Sequence, residues 1–236
     1  EERFSKTNPP PEGDTWRPLL RPVYWLGNWQ FACLGYYHPP KDIKHRCVKA
    51  ENFPPFMQEI VNEIEMMTKR LARDEVPKEW KLNTCLINYY GSQVDENGKE
   101  TDVARVGDHR DAELGPVASI SLGERAYFQF TKGRPNDRNN VVHEQWLSDG
   151  SLLVFWSKQF KDELLHRVQR VENKNKSYFN DHLDNYKTRR LNLTFRYVPE
   201  KHIHNLSEIP SDKREDINAY LETIAERSDY FKSILK

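Results

Sequence analysis

The segment Val106-Gly107-Asp108-His109-Arg110-Asp111-Ala112-Glu113 places an imidazole and a carboxylate two residues apart. On an extended strand such residues face the same side, so His109 and Asp111 converge on one point, and Glu113 follows if the strand continues. A neutral imidazole and a carboxylate together suit a borderline divalent cation such as iron(II), manganese or zinc. A third ligand has to come from a distant part of the chain. His166, within Leu164-Leu165-His166-Arg167-Val168, follows the apolar run Leu152 to Trp156 and is the first candidate. His143 and the pair His202 and His204 compete on residue type alone.

A second segment, Arg190-Leu191-Asn192-Leu193-Thr194-Phe195-Arg196, alternates polar and apolar residues. Strand alternation puts Arg190, Asn192, Thr194 and Arg196 on one face and Leu191, Leu193 and Phe195 on the other. Two readings are open. The strand is half-buried with its polar face in water, or that face lines an interior where two guanidinium groups need an anion. The second reading joins naturally to the metal. Two histidines and one carboxylate on one face of an octahedral ion leave three positions open, the arrangement of non-haem iron oxygenases. A chelating 2-oxo acid takes two of them and oxygen the last.

The elements that must carry these residues follow from the pattern around them. Short β-branched and aromatic runs recur at Thr84 to Tyr90, Val117 to Leu122, Ala126 to Phe130, Val141 to Trp146, Leu152 to Trp156, Leu164 to Val168 and Leu191 to Tyr197. Several short strands separated by turns predict an antiparallel sandwich or barrel. Asp95-Glu96-Asn97-Gly98 reads as a hairpin turn. Between Pro55 and about Arg73, Phe56, Met57, Ile60, Val61, Ile64, Met67 and Leu71 recur at helical spacing, so one helix face is expected to cover the core. From the candidate N-cap Ser211 to Leu235 the spacing predicts one or two further helices. Residues 1–82 are expected to form an arm, an aromatic segment and a scaffold helix, 83–200 the β core, and 201–236 a helical extension, all in one compact domain.

Apolar residues make up 37% of the 236 and charged residues 31%, the balance of a soluble globular chain. Thirty-six basic and 36 acidic residues cancel, so no global field draws the protein to nucleic acid or anionic lipid, and such partners require a local patch. Cys33, Cys47 and Cys85 show no paired spacing, which fits reduced thiols and a cytoplasmic or nuclear location. No run approaches the roughly 18 apolar residues that span a bilayer. Neither a secretory signal pattern nor an internal repeat is evident.

Taken in order, His109-x-Asp111, His166 and Arg190-x-Asn192-x-Thr194-x-Arg196 resemble the AlkB family of iron(II) and 2-oxoglutarate dioxygenases. Leu86-Ile87-Asn88-Tyr89-Tyr90 is similar to the strand before the family's metal motif. Val117 to Gly123 with Phe128-Gln129-Phe130 resembles the strands after it, and the similarity covers about residues 83 to 198. The resemblance implies a mainly β fold of the α+β class, a double-stranded β-helix (jelly roll) with flanking helices. It implies iron(II) held by His109, Asp111 and His166. Arg190 would grip the distal carboxylate of 2-oxoglutarate, with Tyr90 and Asn192, while Arg196 and Asn88 lie near the metal-binding end.

The same resemblance implies oxidative demethylation of N1-methyladenine or N3-methylcytosine in DNA or RNA, single-stranded or base-flipped, and the chain is expected to be a monomer. Succinate, carbon dioxide and formaldehyde are the expected products. Trp29, Tyr36 and Tyr37 are stacking candidates for the base, and Glu113 is a candidate contact for its exocyclic amine. Lys132, Arg134, Arg138, Lys158 and Lys161 are the basic groups that could meet phosphates. Two segments depart from the family pattern, the long loop 91–108 and the polar stretch 172–188. Rival readings keep the chemistry but change the substrate to a protein side chain or small molecule, or remove the chemistry and leave a modified-base reader.

Overall fold

The β-branched and aromatic runs form strands, because such side chains suit a pleated, half-buried backbone. The structure is a computed structural model that describes residues 21–29, 47–111, 113–133, 140–169, 178–180, 183–208, 221–222, 225–226 and 228–235. In chain order its strands are β1 (Val23–Leu26), β2 (Asn28–Trp29), β3 (Cys47–Lys49), β4 (Thr84–Val94), β5 (Glu100–Asp102), β6 (Val106–His109) and β7 (Val117–Gly123). They continue with β8 (Ala126–Thr131), β9 (Val141–Leu147), β10 (Ser151–Phe155), β11 (Leu165–Gln169), β12 (Tyr186–Arg196) and β13 (Ile203–His204). Helix α1 spans Pro55–Ala72 and a short helix α2 spans Asp229–Ile234.

One sheet runs β1-β4-β12-β7-β10, with β5 paired on β4, and a second runs β6-β11-β8-β9. Their pairings are antiparallel. The inner faces meet over Val117, Phe128, Phe130, Leu147, Phe155 and Leu164. This is the jelly roll expected from the sequence. On the outer face of the larger sheet, Met57, Val61 and Ile64 of α1 pack with Leu26, Trp80, Leu82, Ala118 and Phe195. Burying each such aliphatic side chain contributes about 1.5–3 kcal/mol.

Helix α1 uses less of its apolar surface than its spacing suggests. Met57, Val61, Ile64, Thr68 and Ala72 are buried, whereas Phe56 and Leu71 are each 65% exposed and Ile60 and Met67 also face outward. A sheet reaches only one stripe of a helix, so the neighbouring stripe stays uncovered. At the other end of the chain, Ser228 caps α2 by accepting from the Phe231 backbone NH. Phe231 then joins a cluster with Trp25, Val48, Leu86 and Leu221. The expected cap Ser211 lies outside the described residues.

The loop 91–108 is an extension of the sheet. Strand β4 continues to Val94, turns at Asp95 to Lys99 and pairs with β5. Asp95 Oδ1 accepts from the NH groups of Asn97 and Lys99, and Gly98 supplies the positive φ of 77° that the turn requires.

Candidate metal centre and co-substrate cavity

Strand β6 pairs with β11 so that His109 stands directly opposite His166. The strand ends at His109, so Asp111 reaches the same point from the loop beyond it, not from a continued strand. One ligand atom from each of His109, Asp111 and His166 lies within 4.8 Å of the others. His109 Nδ1 lies 2.9 Å from the Gly107 carbonyl, which fixes the proton there and leaves Nε2 with a lone pair for a metal. His166 sits among Phe128, Phe130 and Phe155, with ring centroids 5.2–6.1 Å away. Burial first, then neighbouring His109, push its pKa down to about 3. The ring is therefore neutral at ordinary pH and able to act as a ligand.

Asp111 is equally constrained. Burial raises its carboxyl pKa, but the Arg196 guanidinium beside it outweighs burial and holds the group well below the usual carboxylate range. Arg196 donates from Nε at 2.8 Å and approaches with Nη2 at 2.6 Å, both on Oδ1. That leaves the buried Oδ2 without a hydrogen-bond donor among the described residues, 3.4 Å from His166 Nε2. A buried carboxylate oxygen with no donor among the described residues, beside two imidazoles, fits a divalent cation.

The floor of the adjoining cavity, about 450 Å³ in volume, is set by strand register. Across β4 and β12, Arg190 opposes Tyr90, Asn192 opposes Asn88 and Arg196 opposes Thr84. The polar face of β12 is the interior one: Arg190, Asn192, Thr194 and Arg196 are all at most 8% exposed. Of the two readings of the alternation, the lined interior is therefore correct. Arg190 Nη2 donates to Ser121 Oγ at 2.9 Å, and its guanidinium lies 4.7 Å from the Tyr90 ring centroid. Its Nε and Nη1 are buried with no hydrogen-bond partner among the described residues, an arrangement that fits an incoming carboxylate.

Several expected roles change in detail. Asn192 lines the cavity, but its amide hydrogens are committed to Ser119 Oγ and the Ile120 carbonyl, and its oxygen accepts from Thr194. It builds the floor rather than offering a donor. Glu113, expected at the base, is turned away: the strand that would have carried it inward has ended. Its buried carboxylate lies 3.6 Å from Arg196 Nε and lines a separate cavity behind Asp111. Lys161, expected among phosphate contacts, is buried on the π-helical turn Gln159–Glu163 and donates to the Asp111 carbonyl at 3.3 Å. Burial lowers its pKa, opposed by Asp111 and Glu113.

Trp29 contributes its backbone to β2, opposite Val48, while its side chain, Tyr36, Tyr37, Arg134 and Arg138 lie outside the described residues. Neither His143 nor His204 belongs to the ligand cluster.

Sequence reasoning missed two arginines. Arg21 lines the cavity, and its Nε donates to Asn88 Oδ1 at 2.8 Å. Arg189 is buried and bonds Glu124, Ser92 and Asp102. The adjacent pair Arg189-Arg190 was the only signal in the sequence.

Residues 21–196 match the family described as the 2OG-Fe(II) oxygenase superfamily. Among solved structures, the chain is similar to one reported as "The structure of OsALKBH1", at 25% identity and a TM-score of 0.46, covering 74% of this chain and 77% of that one. No curated protein matches. With a match over most of its length and a cavity whose residues fit iron(II) and 2-oxoglutarate, the chain belongs to the 2OG-Fe(II) oxygenase superfamily and is a 2-oxoglutarate-dependent dioxygenase.

Proposed function

We propose that the enzyme removes methyl groups oxidatively from N-methylated nucleobases, of the N1-methyladenine and N3-methylcytosine type, in DNA or RNA. The observation that carries this reading is β12. Arg190 and Arg196 both face the cavity, one beside Tyr90 and the other on the metal-facing Asp111, in the order that resembles AlkB. Iron(II), 2-oxoglutarate and oxygen together supply the oxidant that hydroxylates the methyl carbon, after which the hydroxymethyl group leaves as formaldehyde.

The chain's own residues prepare that chemistry. His109 and His166 offer ring nitrogens, and Asp111 offers Oδ2 while Arg196 occupies Oδ1. Arg190 provides two donors for the distal carboxylate of 2-oxoglutarate. Phe128 and Phe155 make the wall beside His166 apolar, which favours exclusion of water. A base has to leave its stack to reach this depth, at a cost of a few kcal/mol that is smallest for damaged or single-stranded substrate.

The test is mass spectrometry of nucleosides after incubation with iron(II), 2-oxoglutarate, oxygen and a mixed pool of N-methylated DNA and RNA oligonucleotides, with His166→Ala as control. Loss of one methylated base with matching succinate in the wild type alone is expected, and it names the base. Survival of every methylated base while succinate still forms would overturn the nucleic-acid reading and direct the search to proteins or metabolites.

A further inference from the structure

Arg21 stands two residues before β1 and has a place in the cavity that its sequence context does not announce. Strand β1 pairs with β4 at Val23 opposite Asn88, and the Pro22 carbonyl accepts from the Tyr89 NH at 3.1 Å. Residues two apart on a strand share a face, so Arg21 falls on the same side as Asn88 and Tyr90. Its Nε donates to Asn88 Oδ1 at 2.8 Å, and its guanidinium carbon lies 5.3 Å from the Tyr90 ring centroid, the ring that Arg190 also approaches.

A guanidinium carries donors and no acceptor, so the Asn88 atom facing it has to be the carbonyl oxygen. The NH₂ end of that amide is then left for the cavity, where a carboxylate can accept from it. Charge points the same way. Arg196 is matched by Asp111 and Glu113, whereas neither Arg21 nor Arg190 has a carboxylate partner among the described residues.

We propose that Arg21 is a positioning residue of the 2-oxoglutarate subsite: it holds the Asn88 amide with its NH₂ turned toward the co-substrate and adds a second positive charge beside Arg190. The proposal rests on the reading of this cavity as the co-substrate pocket. It also brings a residue from just before β1 into co-substrate binding.

The experiment is anaerobic calorimetric titration of 2-oxoglutarate into the manganese(II)-loaded protein. Wild type is compared with Arg21→Leu, Arg21→Lys, Asn88→Asp, Asn88→Ala and the Arg21→Leu/Asn88→Ala pair. Manganese(II) affinity is measured separately for each protein. Arg21→Leu is expected to weaken 2-oxoglutarate binding at least tenfold while leaving manganese(II) affinity within twofold, with Arg21→Lys recovering part of the loss. The double variant should be weaker than Asn88→Ala by much less than tenfold, because Arg21 acts largely through Asn88. Asn88→Asp keeps a partner for Arg21 but removes the NH₂, and it should bind at least tenfold more weakly.

Binding by Arg21→Leu or Asn88→Asp within twofold of wild type overturns the proposal. So does fully multiplicative loss in the double variant, or a parallel fall in manganese(II) affinity that marks a merely structural role. Failure of the wild type to bind 2-oxoglutarate would instead overturn the co-substrate reading itself.

Discussion

A buried guanidinium with two idle nitrogens is costly unless something arrives to use them, and Arg190 is such a group. Burial disfavours its charge, and a bound carboxylate offsets that cost. Replacing Arg190 by Met should therefore weaken 2-oxoglutarate binding by about 2–3 kcal/mol, roughly 30- to 150-fold, while leaving the ligand-free melting temperature unchanged or raised. Tight co-substrate binding by this variant, or a ligand-free protein that melts several degrees earlier, would contradict that account. Tyr24 gives a residue-scale pH dependence away from the metal. Its hydroxyl donates to Glu51 at 2.6 Å, and burial first, then that bond, push its pKa up to about 12. The fold thus favours the neutral phenol. Its stabilisation is complete below the ordinary value near 10 and is lost as pH rises toward 12. The stability difference between wild type and Tyr24→Phe, measured by denaturant unfolding, should be constant below pH 10 and shrink above it. A flat difference across that window would remove Tyr24 from the account.

At the scale of elements, the decisive feature is a one-residue irregularity in β12. The register with β4 shifts between Thr188 and Arg190, which makes Arg189 the extra residue of a bulge. The bulge lets both neighbours bury, Arg189 against Glu124, Ser92 and Asp102 and Arg190 against Ser121 and Tyr90. Gly91 makes the crossing possible, since a Cβ there would overlap the Lys187 carbonyl oxygen. Gly91→Ala should lower stability by about 2–4 kcal/mol, roughly 5–10 °C in melting temperature, and also weaken 2-oxoglutarate binding by moving Arg190. A thermal scan showing no loss would mean that the bulge relaxes freely. The bulge was not legible in the sequence, where alternation from Arg190 to Arg196 was clear but its interruption left only the Arg189-Arg190 pair. The aim of Asp111 was similarly hidden. A strand carrying both His109 and Asp111 was the natural expectation, yet β6 stops at His109, and Arg196 of β12 and Lys161 of the π-helical turn hold Asp111 and its loop in place.

For the whole molecule, no helix among the described residues is long and apolar enough to cross a membrane. Cys47 and Cys85 are buried, and burial raises both thiol pKa values far from the reactive range. Peptide mapping after alkylation at pH 8 should find both unmodified in the native protein and both modified in denaturant. Labelling of either one under native conditions would show that the core opens more readily than its packing implies. The sequence by itself determined the strand runs, the three metal-ligand candidates and the arginine face, because these depend on residue type and on spacing along a strand. Two-residue periodicity could not say whether the polar face of β12 looked into water or into the fold, since both give the same pattern. Only the meeting of the two sheets decided that. The same assembly turned Glu113 away from the metal, spent Asn192 on the floor and brought Arg21 beside Tyr90. Contacts of this kind join residues far apart in the chain, 85 positions for Arg196 and Asp111, and no local pattern encodes which distant side chain will satisfy a buried charge.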